Sequence, residues 1–240
     1  MIARFRLVAS TVFLLTTVLS AAGPEPAASQ PTAREALGTL KAGNDRFAKN
    51  ASKPVSMSVN RRKELADVQH PIAMVLSCAD SRVPPEYIFN VGLGDLFVIR
   101  TAGEVIDRSI LATVEYGAEH LHIPLLLVMG HESCGAVKAA AGASGPSASP
   151  NLDYLLKAIQ AARRTPPLQE DRDELKSLVL ANVEEVINGV MAKSSLVRHM
   201  VDEGRLEVVG GYYELVSGRV MFSEPVAPGV PVPTTHTSRR

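Results

Sequence analysis

Residues 71–78, PIAMVLSC, form a short continuous apolar run that ends on a cysteine. A run of this length fits a strand covered by other elements on both faces. Two similar runs follow, DLFVIRTAG (95–103) and PLLLVMGH (124–131). LEVVGGYYEL (206–215) gives a fourth strand, and RVMF (219–222) a short edge strand after the Ser217-Gly218 turn. Helical spacing fills the intervals: DRSILATVEYGAEHL (107–121, capped by Asp107), NLDYLLKAIQAARR (151–164), DELKSLVLANVEEVINGVM (173–191) and SLVRHMVDEG (195–204). Strands alternating with helices predict an α/β fold, a mainly parallel central sheet flanked by helices.

Outward from this centre, TAREALGTLKAGNDRFAKN (32–50) carries apolar residues at helical spacing, and Thr32 with Glu35 makes a capping box. This is expected to be an N-terminal helical arm, packed on another subunit or on its own domain. A second short helix is expected over Val59–Val68, and GASGPSASP (142–150) as a surface loop. The first residues differ from the rest: Arg4 and Arg6 precede an apolar run from Leu7 to Leu19, and Ser20 and Ala22 suit cleavage before Gly23. That is the layout of a secretory signal peptide, too short for the roughly 20 residues of a membrane span. The expected organisation is therefore a signal peptide (1–22), a linker (23–31), one folded domain (32–223) and a Pro-rich disordered tail (224–240). The mature chain is expected to be exported, periplasmic or secreted, with no stable membrane insertion.

Formal net charge is +0, with 25 basic and 25 acidic residues and no basic run interleaved with aromatics. Nothing in this balance favours nucleic acid as a partner. The chain has two cysteines, one in SCADSRVPPE (77–86) and one in GHESCGAV (130–137). In an exported protein two cysteines make a disulfide the default. A bridge from Cys78 to Cys134 would leave the spacing of Asp80, Arg82 and His131 without a purpose. A redox pair lacks C-x-x-C. Functional groups in open α/β sheets gather at the carboxyl ends of strands, where Cys78 and His131 fall. If those strands are neighbours, Cys78, Asp80, His131 and Cys134 converge as a tetrahedral set suited to zinc. A closed structural site would have no use for Arg82. His131-Glu132 is not followed by a second histidine at the zincin position, and GLGDLF precedes a strand where a dinucleotide fingerprint would follow one.

CADSRV, GDLFVIRTAG, VEYGAEHL, GHESCGAV and VVGGYYEL, in that order, resemble the β-class carbonic anhydrases from about Thr32 to Phe222. The resemblance implies that Cys78, His131 and Cys134 hold Zn2+, with Asp80 and water alternating in the fourth place. It implies reversible hydration of CO2 to bicarbonate and a proton, zinc-bound hydroxide attacking CO2 while the Asp80–Arg82 pair gates and orients it. Arg82 can pair a carboxylate bidentately and keep Asp80 off the metal. Gln69, nine residues before Cys78, stands where the family places a substrate-contacting amide. A homodimer or dimer of dimers is expected. The chain departs from the family at Ala79, often Ser, and at Thr101 and Glu104, often Asn; it has no Trp for the bicarbonate regulatory pocket of a subset of the family. The rivals are a non-catalytic zinc- or disulfide-stabilised domain and a relative acting on CS2 or COS.

Overall fold

The computed structural model describes residues 30–147, 149–164 and 174–229. The expected signal peptide, most of the linker and residues 230–240 of the tail lie outside these. Helix α1 (Ala33–Ala48) starts at the capping box: the Glu35 N–H donates to Thr32 Oγ1 while the Thr32 N–H donates to Glu35 Oε2. Then come α2 (Val59–Glu64), β1 (Ala73–Cys78), the single turn α3 (Pro85–Ile88) and β2 (Leu96–Thr101). A 3-10 turn over Ala102–Glu104 leads to α4 (Arg108–Glu119), β3 (Leu125–His131), α5 (Gly135–Gly142) and α6 (Pro150–Gln160). The chain closes with α7 (Glu174–Lys193), α8 (Ser195–Asp202), β4 (Glu207–Tyr213) and β5 (Val220–Phe222).

The sheet order is β2-β1-β3-β4-β5, parallel through β4, with β5 antiparallel at one edge. Side chains alternate across a strand, and both faces here are covered. Ala73, Val75, Leu125, Leu127, Met129 and Val209 enter one apolar core. Met74, Leu76, Leu126, Val128 and Val208 enter the other, beneath α4 and α8. That double burial makes the β1 and β3 sequences continuously apolar. β2 has a neighbour on one side only and is mostly half-buried, so its apolar run marks an edge strand rather than an enclosed one.

Three segments differ from the sequence expectation. α2 ends at Glu64, short of Val68, because none of its residues is buried and no packing supports a further turn. α5 follows the second cysteine, where no helix was expected. Residues 224–229, expected in a disordered tail, lie against the domain instead: the Val226 N–H donates to Val208 O and the Gly229 N–H to Asp202 Oδ1.

The N-terminal helix packs on its own domain. Ala36, Leu37 and Leu40 enter the core, and buried Asn44 donates to Gly218 O at 2.8 Å and accepts from the Val220 N–H at 2.9 Å. Gly43 lets α1 approach this closely, since a Cβ there would overlap the carbonyl oxygen of Phe89. Backbone cannot yield as a side-chain tip can. Gly43→Ala should therefore lower stability by about 3 kcal/mol in denaturant unfolding. An unchanged midpoint would contradict the docking of α1.

Candidate metal centre

β1 and β3 are adjacent and parallel, with Ser77 opposite Met129, so their carboxyl ends open on the same side of the sheet. Cys78 ends β1 and His131 ends β3. Cys134 is the residue before α5, brought back by Ser133, whose φ of 55° is left-handed. A serine in that region is strained and is held by its surroundings. The reversal places Cys78 Sγ, Cys134 Sγ and a His131 ring nitrogen within 4.8 Å of one another. All three side chains are buried.

The donor set fits a metal. His131 Nδ1 lies 2.8 Å from the Glu132 carbonyl, which fixes Nδ1 as the protonated nitrogen and leaves the Nε2 lone pair free. Nε2 is buried and has no hydrogen-bond partner among the described residues. The sulfurs stand 4.0 Å apart as free thiols rather than a disulfide. Cys78 is drawn well below the usual thiol range, first by the hydrogen bond with Cys134 and further by His131 and the Gly103 N–H. Cys134 is pushed up by the same hydrogen bond and by burial. Burial disfavours the charged form of His131, but the Cys78 thiolate outweighs it and the net direction is upward.

Asp80 and Arg82 lie beside this set. Arg82 Nε donates to Asp80 Oδ1 at 2.9 Å and Nη2 to Oδ2 at 2.8 Å, and the Arg82 N–H also reaches Oδ1. These bonds, the Arg82 side chain first, hold the Asp80 carboxyl well below the usual carboxylate range. Nη2 further donates to Ser133 O, tying the pair to the turn that carries Cys134. Asp80 Oδ2 is 4.0 Å from His131 Nε2, so the carboxylate borders the three donors.

Gln69 is not in this group. It is exposed and lines a separate surface cavity of about 480 Å³ with Arg62, Asp67, Val68 and Leu93.

Two residues at the centre were not singled out as functional from sequence. Arg100 on β2 donates to the carbonyls of both Cys78 and Asp80, clamping the backbone between them. Glu104 is fully buried, and its carboxyl is raised to about 8, first by burial and then by the nearby Cys78 charge. The signal for Arg100 was a charged residue inside an apolar strand; for Glu104 it was a carboxylate directly after the glycine of TAG.

A family profile described as carbonic anhydrase matches residues 73–220. The chain is 38% identical over 191 residues to carbonic anhydrase 2 of Mycobacterium tuberculosis, covering 77% of this chain and 90% of that one. Among solved structures, the Coccomyxa β-carbonic anhydrase in complex with acetazolamide superposes with a TM-score of 0.63 at 27% identity, over 80% of this chain and 88% of that one. A tetrameric β-carbonic anhydrase of Sordaria macrospora gives a TM-score of 0.61 at 26% identity, over 81% and 98%.

The lowered Cys78 thiol has a spectroscopic consequence. Metal-free protein should keep the ultraviolet absorbance of one thiolate at neutral pH and lose it only at a pH well below the ordinary thiol range. Loss near ~8.5, the ordinary thiol value, would contradict the paired arrangement.

Proposed function

The chain belongs to the β class of carbonic anhydrases, whose general reaction is CO2 hydration, and from that membership we propose that it interconverts CO2 and bicarbonate with zinc held by Cys78, His131 and Cys134. The observation that carries the ligand assignment is the buried His131 Nε2 without a partner, facing two buried sulfurs. Two thiolates balance a divalent charge, and sulfur with imidazole suits zinc. When bound, zinc supplies the Lewis acidity that brings water ionisation towards pH ~7.

Asp80 works beside that centre as an ionised acceptor. Arg82 engages both of its oxygens, and Oδ2 still lies 4.0 Å from His131 Nε2. From there Asp80 accepts a hydrogen bond from the attacking oxygen and turns its lone pair towards CO2. Freed from Arg82, the same carboxylate becomes a fourth donor next to the three and closes the site. The pair is thus the gate, and Arg82 holds it open.

A second copy of the chain completes the assembly. β2 leaves one edge of the sheet without a neighbouring strand. Leu96, at its start, lines an adjoining groove of about 530 Å³ with Phe47, Val55, Met57 and exposed Tyr87. An unpaired edge beside an apolar groove favours strand or side-chain docking. The exposed amide of Gln69 then reaches substrate from this face in the assembled enzyme.

Two experiments test these proposals. Arg82→Ala should keep its zinc while CO2 hydration falls by about tenfold or more; unchanged turnover would remove the gate. Sedimentation of purified protein should give a dimer or a dimer of dimers, and a monomer at micromolar concentration would overturn the second-copy docking.

A further inference from the structure

Glu104 occupies an unfavourable position twice over. Its φ is 45°, left-handed for a residue with a Cβ, and it follows Gly103 at φ 63°. Its carboxyl group is stripped of solvent, and Oε2 has no hydrogen-bond partner. Glu104 Oε1 lies against Gly130, where an added Cβ would meet Val179 and Val183 at 2.7 and 2.8 Å and this oxygen at 3.2 Å. Left-handed strain and an unsatisfied buried oxygen both disfavour folding, and strain of this kind clusters where function requires it.

What the arrangement secures is a single hydrogen bond. Asn182 on α7 is buried, and its amide donates to Gly103 O at 2.9 Å and to Glu104 Oε1 at 3.0 Å. Both of its N–H groups are therefore spent on two consecutive residues of the turn. With the turn fixed at those two points, the Gly103 N–H points at Cys78 Sγ, 3.4 Å away. Plain structural tethering of α7 to the turn would need only one of these bonds and no inward carboxyl.

We propose that Glu104 and Asn182 are positioning residues for Cys78, holding the Gly103 N–H on its sulfur and so setting how strongly that sulfur donates to the metal. The proposal rests on Cys78 being a zinc ligand. An N–H directed at a thiolate withdraws electron density, leaves the metal the stronger Lewis acid and fixes the direction of the sulfur lone pairs. Without it, Cys78 donates more strongly but from a looser turn.

The test measures the metal, not only turnover. Zinc affinity, by competition with a chromophoric chelator, and the thiolate-to-cobalt charge-transfer band of cobalt-loaded protein are compared for wild type, Asn182→Ala, Glu104→Ala and Glu104→Gln. Both alanine variants should bind zinc about tenfold or more weakly, with the band moved to longer wavelength, while Glu104→Gln, which keeps the acceptor, stays within about threefold. Wild-type affinity and an unmoved band in a folded alanine variant would overturn the proposal. A second measurement needs no variant. In wild-type protein loaded with a spin-active cadmium isotope, the Gly103 amide proton should show a coupling to the metal through the N–H···S bond, and its absence would equally overturn the proposal. Failure of wild type to bind zinc stoichiometrically would instead count against the metal-site assignment.

Discussion

Two sulfurs 4.0 Å apart and a buried imidazole nitrogen with no partner cannot all be content in a metal-free interior. Like charges at that separation oppose each other, so the two thiols split, Cys78 downward and Cys134 upward. A divalent ion removes the conflict, since each sulfur gains an opposite charge and Nε2 a place for its lone pair. Much of the fold serves this convergence. The parallel register of β1 and β3 brings Cys78 and His131 to neighbouring strand ends, and the left-handed Ser133 folds Cys134 back to them. Arg100 pins the carbonyls of Cys78 and Asp80.

Two carboxylates flank the centre in opposite environments. Asp80 is on the outer side, paired with a half-exposed Arg82, and stays ionised. Glu104 is on the inner side, out of solvent, and burial raises it. The outer pair is partly open to solvent through Arg82. The inner pair is locked between the turn after β2 and α7, suiting it to fix geometry. One fold thus gives two acidic residues separate duties through environment alone.

The sequence made β1, β3 and β4 legible as strands because they are covered on both faces and are apolar over most of their length. The Thr32–Glu35 capping box and the strand-end cysteine and histidine were equally local signals. The helical arm, α1, left its destination open, since Asn44 shows its role only against Gly218 and Val220, far along the chain. β2 gave the same apolar signal as an enclosed strand although it lies at the edge, because hydrophobic content does not record which neighbour supplies the cover. The Asp80–Arg82 pairing followed from spacing two residues apart. The link from Glu104 to Asn182 spans 78 positions and depends on a left-handed turn, which spacing does not encode. Gln69 stands at a family position, but within one chain it faces a different cavity.

X-ray absorption at the zinc edge of purified, active protein addresses the central claim most directly. The expected sphere holds two sulfurs at ~2.3 Å and one imidazole nitrogen at ~2.0–2.1 Å, with a light oxygen donor in the fourth place. Active protein that carries no zinc and has Cys78 bonded to Cys134 would contradict the account.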